Sequence, residues 1–159
     1  MRLSQLLERL EYEVVQGTED IAITTLINDS RKVEPGSVFV CISGAVSDGH
    51  RFATEVADKG AAALIVEKEV EVPGDVTVIR VEDTRYALAL MSAAYFGYPA
   101  NKLKIIGITG TKGKTTTTYM IRSILEEVGR KVGLIGTIEA IIGEKHIPAA
   151  NTTPESYTI

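Results

Sequence analysis

A glycine-rich string at residues 107–117, Gly-Ile-Thr-Gly-Thr-Lys-Gly-Lys-Thr-Thr-Thr, constrains the fold of this chain more than any other feature. An apolar run at residues 103–109 leads into it, and residues 114–128 carry apolar side chains at helical spacing. A strand, a glycine turn and a helix in this order are typical of an α/β domain, in which helices cover a mostly parallel sheet. The string therefore predicts a strand, a tight loop and a helix that begins at Lys114.

The residue types in this loop indicate a phosphate site. Gly110 and Gly113 let the backbone turn tightly and direct successive N–H groups inward, where they can bind phosphate oxygens. Lys114 can reach β- and γ-phosphates, the Thr115 hydroxyl can bind Mg²⁺, and the positive end of the helix dipole faces the same place. The sequence therefore predicts binding of ATP and Mg²⁺, with Lys114 as the catalytic residue and Thr115 as the metal ligand. The predicted binding residues are Gly110, Thr111, Lys112, Gly113, Lys114, Thr115 and Thr116.

The loop departs from the strict pattern G-x-x-x-x-G-K-[ST] at the first position, where Ile108 stands. A glycine-rich turn that binds nothing is the alternative interpretation, and glycines alone would leave it open. The pair Lys114-Thr115 at the start of the helix favours phosphate binding over that alternative.

The first hundred residues show further strand and helix patterns. Apolar residues at positions 3, 6, 7 and 10 predict a short first helix. Strands are predicted at 21–27, 37–42, 61–66 and 76–81, and helices at 51–59 and 84–96. Gly60 is expected to end the helix before it. The segment Gly97-Tyr-Pro-Ala-Asn-Lys contains helix-breaking residues, so we place a domain boundary near residue 100.

The pattern restarts after that boundary. Strands at 103–109 and 131–136, on either side of the helix at 114–128, predict one right-handed βαβ unit. Residues 138–147 predict a hairpin around Gly143-Glu144, and Thr153-Pro154-Glu155 has the composition of a helix start. One βαβ unit is too little for a parallel sheet covered on both faces. We therefore expect an α/β protein with a small amino-terminal substrate-binding domain at 1–100, followed by the beginning of a phosphate-loop ATPase domain at 101–159, cut from a longer protein.

Composition excludes several classes of protein. The net charge of -4 gives no electrostatic case for nucleic acid as the main partner. No apolar run approaches the roughly 20 residues that a membrane-spanning helix needs, and the early charges do not fit a signal peptide. The only cysteine, Cys41, lies in an apolar stretch, so a buried thiol is expected rather than a disulfide. We expect a cytoplasmic monomer without membrane insertion.

The two histidines do not form a metal motif. His50 and His146 are isolated in the sequence, which favours solvated histidines or histidines at helix starts over metal ligands.

Four strings together resemble the Mur ligases, the amide-forming enzymes of bacterial peptidoglycan precursor synthesis. The loop at 109–117 resembles the ATP loop of that family, although most relatives have asparagine where this chain has Lys112. Asp29-Ser-Arg with Pro35-Gly-Ser-Val-Phe-Val, and Gly44-Ala-Val-Ser-Asp-Gly-His, resemble two loops of an amino-terminal domain that two family members share. Asn151-Thr-Thr-Pro-Glu-Ser resembles the member that adds the third residue of the peptide.

The resemblance implies an ATP-dependent acid–amino-acid ligase. ATP would phosphorylate the free carboxylate of UDP-N-acetylmuramoyl-L-alanyl-D-glutamate, and the amine of a diamino acid would attack the resulting acyl phosphate. Phosphoryl transfer needs positioning and charge neutralisation, which suits a loop of this kind. The partners would be the UDP-N-acetylmuramoyl-dipeptide and either meso-diaminopimelate or L-lysine, between which the sequence does not choose.

The resemblance also implies substrate contacts at three places. Two loops of the first domain would hold the uridine diphosphate end, and the Asn-Thr-Thr string would hold the muramoyl-peptide part near ATP. The implied residues are Asn28, Ser30, Ala45, Val46, Ser47, Asn151, Thr152 and Thr153. On the residues alone, Asp29-Ser30 could equally be an Asx or serine turn, and residues 151–153 could be only a helix cap. Arg31 could pair with Asp29 or Asp48.

Other functions stay open at this point. A phosphate-loop kinase or GTPase would carry guanine- or acceptor-reading motifs further on, and the first hundred residues give no reason to expect them. A non-catalytic module that binds a uridine nucleotide, or another Mur ligase family member, are the remaining alternatives. We expect the 159-residue chain alone to be inactive.

Overall fold

The first part of the chain is built on a five-stranded sheet. The computed structural model describes residues 1–44, 47–149 and 154–158, and it divides into two compact units, Met1–Lys102 and Leu103–Ile159. The strands of the first unit are β1 (Glu13–Gln16), β2 (Leu26–Ile27), β3 (Val38–Val40), β4 (Ala63–Val66) and β5 (Thr77–Arg80). Their order is β1-β5-β4-β3-β2. β1 is antiparallel to β5, and all other neighbours are parallel.

Helices cover both faces of this sheet. Every residue of β3 and β4 is buried, and successive residues of a strand face opposite sides. On one face, Phe39 and Leu64 pack in one cluster with Val56 of α2 (Ala53–Asp58). The other face is covered by α3 (Thr84–Tyr95), which contacts β2 and β4, and α1 (Leu3–Leu7) packs against α3. Burial on both faces explains why these strands read as continuous apolar runs.

Most of the predicted elements of this unit are confirmed in shorter form, and one is partly wrong. Gly60 follows α2 with a φ of +92°, as its predicted role requires. The strand predicted at 21–27 is wrong for residues 21–25, because only Leu26–Ile27 form β2. The N–H of Leu3 donates to the carbonyl of Ile21 (3.0 Å), and the N–H of Ile23 donates to the carbonyl of Met1 (2.9 Å). Residues 21–23 are therefore paired with the chain start. The Thr24 N–H donates to the Gly36 carbonyl (2.9 Å), and regular pairing with β3 begins only at Leu26.

The sequence does not predict β1. Its residues, Glu13-Val-Val-Gln, lack the alternation of apolar and polar side chains that identifies a half-buried strand. The strand is set by its neighbour instead, since Glu13 pairs with Arg80 and Val14 with Ile79 of β5.

The second unit contains one long helix and a small antiparallel sheet. The helix is α4 (Lys114–Glu127), and the strands are β6 (Gly133–Ile135), β7 (Glu139–Ile142) and β8 (Lys145–Pro148) in the order β6-β7-β8. The predicted hairpin is confirmed, with Gly143 at its turn at a φ of +60°. The predicted helix start at Thr153 lies outside the described residues. Pro154 and Glu155 are not helical, and residues 156–158 form a turn.

The strand predicted at 103–109 is wrong, and the predicted βαβ unit is therefore not formed. A strand exists only where a neighbour accepts and donates its backbone hydrogen bonds. Within the described residues, 103–109 join no ladder, and β6 pairs antiparallel with β7. Leu103, Ile105 and Ile106 are accordingly 66%, 72% and 58% exposed.

The apolar stripe predicted on α4 is only partly covered, since Ile121 and Leu125 are half-buried. No residue of this helix is buried, and Met120, Ile124 and Val128 lie at its surface. Within the described residues, the buried hydrophobic side chains of this unit are Leu134 and Ile141. The second unit therefore has little core of its own.

A bilayer-spanning helix is not found either. Within the part of the chain that the structure describes, no helix combines the length and the apolar character that crossing a membrane demands.

Cys41 lies in the core, as predicted, and its chemistry can be tested. Burial raises the pKa of its thiol to about 12, with Asp48 and Glu67 adding to the effect. Because the thiolate is the reactive form, the native protein should not react with a disulfide reagent at about pH 8, and it should react fully once unfolded in guanidinium chloride. The measurement is thiol titration by absorbance.

A Lys32→Cys variant provides the matched control, since Lys32 is an exposed residue of the same unit. Its added thiol should react at once in the native state. Rapid reaction of the native wild-type chain would contradict the burial of Cys41.

Candidate functional site

The glycine-lysine loop is held at the start of α4 by a left-handed residue. Gly113 is the residue before the helix and has φ +77° and ψ -5°. A Cβ at this position would meet nothing within 4 Å, so the backbone conformation rather than space requires glycine. The first helical hydrogen bond runs from the Thr117 N–H to the Gly113 carbonyl (2.9 Å). The N–H groups of Lys114, Thr115 and Thr116 precede it and have no partner within the helix.

Lys114 folds back over the loop that it follows. Its ammonium Nζ donates to the Gly110 carbonyl at 2.6 Å, and its side chain is exposed. Thr115 is half-buried in the same first turn. The Lys114 cation, the amides without a helical partner and the Thr115 hydroxyl therefore occur together at one helix start, and they are the kinds of group that bind a nucleotide phosphate and its Mg²⁺. The residues present fit both groups.

A polar cluster ties α4 to the hairpin beside it. The Tyr119 hydroxyl donates to Glu139 Oε1 (2.5 Å), and His146 Nδ1 lies 2.6 Å from Glu139 Oε2. These bonds, the one from Tyr119 first, hold the pKa of the Glu139 carboxyl below its usual value. His146 is thus engaged with one carboxylate. Among the described residues, no group of three or more His, Cys, Asp or Glu side chains could hold a metal ion.

The predicted Asp29-Ser30-Arg31 loop is a capped turn. Asp29 precedes a short 3₁₀ helix, Ser30–Lys32, and its Oδ1 accepts from the Arg31 N–H at 3.1 Å, which confirms the Asx-turn interpretation. The Arg31 guanidinium binds both oxygens of Asp29, at 2.9 and 2.8 Å, and lowers the pKa of that carboxyl to about 2. Arg31 therefore pairs with Asp29 and not with Asp48. The ammonium of Lys59, the residue directly after α2, donates to the Ser30 carbonyl (2.9 Å).

The second predicted loop follows β3 and is closed at its base. Ser43 and Asp48 form an antiparallel bridge, and the Gly44 N–H donates to the Ser47 carbonyl at 3.0 Å. Gly49 lies so close to β3 that a Cβ there would sit 2.8 Å from the Ile42 nitrogen. Ser47 is exposed. Ala45 and Val46, which the sequence also predicts as substrate contacts, lie outside the described residues.

The structure brings these two loops to one edge of the sheet. β2 and β3 are parallel neighbours, so their carboxyl ends lie side by side. Asn28 follows β2 directly, and Ser47 belongs to the loop after β3. Ligands of open α/β sheets bind at this edge. Asn151, Thr152 and Thr153 lie outside the described residues.

Sequence reasoning missed two residues of this edge. His50 was predicted to be either solvated or at a helix start. It is buried, and it lies near the start of a short 3₁₀ helix, Gly49–Phe52. Glu67 follows β4, and its Oε1 accepts from the Thr84 N–H (2.8 Å) and hydroxyl (2.7 Å). It helps to line an open depression of about 610 Å³ whose other residues are Ser43, Glu82, Asp83, Arg85 and Tyr86. A charge placed directly after an apolar strand is the signal that could have indicated Glu67.

Two models of one protein family match this chain. The model for the Mur ligase family, catalytic domain, matches residues 22–96, and the model for the Mur ligase middle domain matches residues 108–159. The chain is 52% identical over 159 residues to a protein of Clostridium perfringens named UDP-N-acetylmuramoyl-L-alanyl-D-glutamate--2,6-diaminopimelate ligase, covering all of this chain and 33% of that protein. It is 49% identical over 160 residues to a Bacillus velezensis protein of the same name, covering all of this chain and 32% of that one.

A solved structure confirms the fold. A structure titled as a UDP-N-acetylmuramoyl-L-alanyl-D-glutamate--2,6-diaminopimelate ligase matches with a TM-score of 0.72 at 23% identity, covering 99% of this chain and 31% of the other. The predicted α/β class is therefore confirmed, and the chain spans about a third of the length of the curated relatives that it matches. Because two models of one family match on either side of residue 100, and relatives of that family align along the whole chain, the chain belongs to the Mur ligase family.

Proposed function

We propose that the complete protein is an ATP-dependent ligase, UDP-N-acetylmuramyl-tripeptide synthetase, acting as a cytoplasmic monomer. It would join a diamino acid to UDP-N-acetylmuramoyl-L-alanyl-D-glutamate. The single observation that carries this proposal is the loop at residues 110–116, in which Lys114 and amides without a helical partner stand together at the start of α4. The loop by itself indicates nucleotide binding, and the membership of a ligase family indicates that the nucleotide is used to form an amide bond.

Three kinds of group in the loop would contact different parts of the bound nucleotide and its metal ion. The amides of residues 114–116 would bind phosphate oxygens, since they point out of the helix start with no helical partner. Lys114 would exchange its bond to the Gly110 carbonyl for one to a β- or γ-phosphate oxygen, which neutralises charge where the phosphoryl group is transferred. The Thr115 hydroxyl would hold Mg²⁺. Bound ATP supplies the phosphoryl group that activates the substrate carboxylate as an acyl phosphate.

The first unit would hold the other end of the substrate. Asn28, Ser30, Ala45, Val46 and Ser47 are the residues proposed to bind the uridine diphosphate end. The described ones support this by following adjacent parallel strands at a sheet edge where ligands bind. Residues Asn151, Thr152 and Thr153 are proposed, on the resemblance alone, to hold the muramoyl-peptide part.

We propose meso-diaminopimelate as the amine. Both relatives described above carry 2,6-diaminopimelate in their names, whereas the residues of this chain do not choose between it and L-lysine. A non-catalytic uridine-nucleotide module remains the second candidate for the isolated chain, because its sheet edge is complete in the first unit while the second unit has little core.

Ligation by the complete gene product tests the reaction. With UDP-N-acetylmuramoyl-L-alanyl-D-glutamate, ATP and Mg²⁺, we expect amide product with meso-diaminopimelate and at least about tenfold less with L-lysine, a difference that corresponds to roughly 1.4 kcal/mol. Product is measured by chromatography and mass spectrometry. Preference for L-lysine would refute the proposed amine, and no product with either would refute the ligase. The 159-residue chain alone should form none.

Replacing Lys114 tests the role of the loop. In the complete protein, Lys114→Ala should lower kcat by about a thousandfold, since one preorganised charge contact in a transition state is worth roughly 3 to 4 kcal/mol. Lys131→Ala removes an exposed lysine of the same unit and should leave kcat unchanged within about twofold. Equal rates for the two variants would show that the loop does not carry the phosphate.

A pair of glycine substitutions separates backbone shape from space. In Gly113→Ala, a residue with a β-carbon must adopt the left-handed backbone conformation, which costs about 1–2 kcal/mol. The complete protein with this substitution should therefore bind ADP at least about fivefold more weakly, as measured by calorimetry. Gly107 has equally open surroundings and no left-handed φ, so Gly107→Ala should bind ADP as the wild type does. Equal loss in both variants would argue against a role for the Gly113 conformation.

A further inference from the structure

His50 is a buried imidazole whose two nitrogens have different partners. Its side chain is 4% exposed. The backbone N–H of Glu67 donates to Nε2 at 3.0 Å, so Nε2 carries a lone pair and not a proton. Nδ1 lies 2.7 Å from Asp48 Oδ1 and therefore carries the proton and donates it. The ring is neutral and held in one tautomer by its surroundings.

This ring connects a loop to the sheet. We call the segment from Ser43 to Asp48, which follows β3, the edge loop; the structure describes its two ends, residues 43–44 and 47–48. The bond from Nδ1 holds Asp48 at the end of the edge loop, and the bond to Nε2 anchors His50 to Glu67, directly after β4. A second connection runs beside it, since the Lys68 ammonium also bonds to Asp48.

The other end of the edge loop is anchored to the same strand end. The Ser43 hydroxyl donates to Glu67 Oε2 at 3.0 Å, while Oε1 of that carboxylate is bound by Thr84. Glu67 thus fixes Ser43 through its side chain and His50 through its backbone. Both ends of the edge loop are thus bound to Glu67, Ser43 directly and Asp48 through His50. Gly49, the next residue, lies close against Ile42.

We propose that His50 is a positioning residue for substrate binding, which acts by holding the edge loop so that Ser47 faces the uridine diphosphate end. This inference rests on the proposed function, because it takes the edge loop as part of the nucleotide-sugar site. It assigns to His50 no contact with the substrate and no proton transfer. Its effect is on how well the site is formed before the substrate arrives.

The expected signature is a change in KM with little change in kcat. The edge loop would bind a part of the substrate that does not react, so its displacement weakens ground state and transition state alike. His50→Phe retains a buried ring but removes both hydrogen bonds. In the complete enzyme it should raise KM for the UDP-N-acetylmuramoyl-dipeptide by about tenfold, while kcat and KM for ATP stay within about twofold of the wild type.

Two further variants separate positioning from general stability. His50→Gln places a carbonyl oxygen where it can accept from the Glu67 N–H. Its KM for the UDP-N-acetylmuramoyl-dipeptide should therefore be at most about half of that of the His50→Phe enzyme. His146→Phe changes the other histidine, which is bonded to Glu139 in the second unit, and should leave KM for the UDP substrate unchanged. A purely structural role of His50 would reduce the amount of active enzyme, and so the apparent kcat, with KM unaltered.

The results distinguish a failure of the proposed ligase function from a failure of the proposed role of His50. If the wild-type enzyme forms no amide, the proposed function has failed. If it does, and KM of the His50→Phe enzyme equals that of the wild type, the positioning role is wrong. Should His50→Phe not fold, Lys68→Met decides, because the Lys68 side chain is 55% exposed and its loss spares the core. We expect KM for the UDP-N-acetylmuramoyl-dipeptide to rise about fivefold there, which lies outside the twofold margin allowed for unaffected parameters. A KM within that margin would overturn the proposal.

Discussion

The parallel pairing of β2, β3, β4 and β5 is the constraint on which the first unit depends. Parallel neighbours bring their carboxyl ends to the same edge, so every connection must return across a face of the sheet before the next strand begins. The returning segments bury both faces, which explains the apolar strands. The turns that leave the strands lie side by side, which places Asn28, Ser47 and Glu67 at one edge although they are far apart in sequence.

The second unit depends on local constraints instead. The loop before α4 is defined by Gly113 and by the first turn of the helix, and both would form their geometry in any α/β setting. The apolar stripe of α4 shows the opposite case: Met120 and Ile124 are 61% and 65% exposed, because the described residues offer that face little to pack against. The predicted phosphate loop can therefore take its local shape where the surrounding sheet is small.

Features set by one or two residues were predictable from the sequence, as were the apolar strands β3, β4 and β5, but two features that depend on a distant partner were not. The helix start at Lys114, the turn at Gly143 and the end of α2 at Gly60 each follow from one or two residues, and the structure confirms them. The strand expected at 103–109 does not form, because apolar and β-branched residues favour a strand but do not provide the neighbouring strand with which it must pair. β1 was missed for the converse reason, since β5 and not its own pattern makes it a strand.

The same distinction applies to the candidate site. The predicted phosphate-loop residues lie together because they are consecutive, whereas the role of His50 depends on Glu67, which the fold brings to it from the end of another strand. The central claim is that this chain carries a nucleotide-phosphate loop in its second unit and a uridine diphosphate site in its first. A crystal structure of the complete protein with ADP, Mg²⁺ and the UDP-N-acetylmuramoyl-dipeptide tests it most directly. We predict ADP phosphates on the amides of residues 114–116 with Lys114 beside them, and the uridine diphosphate at the edge after β2 and β3. Nucleotide phosphates bound away from Lys114, or a uridine diphosphate away from that edge, would contradict the account.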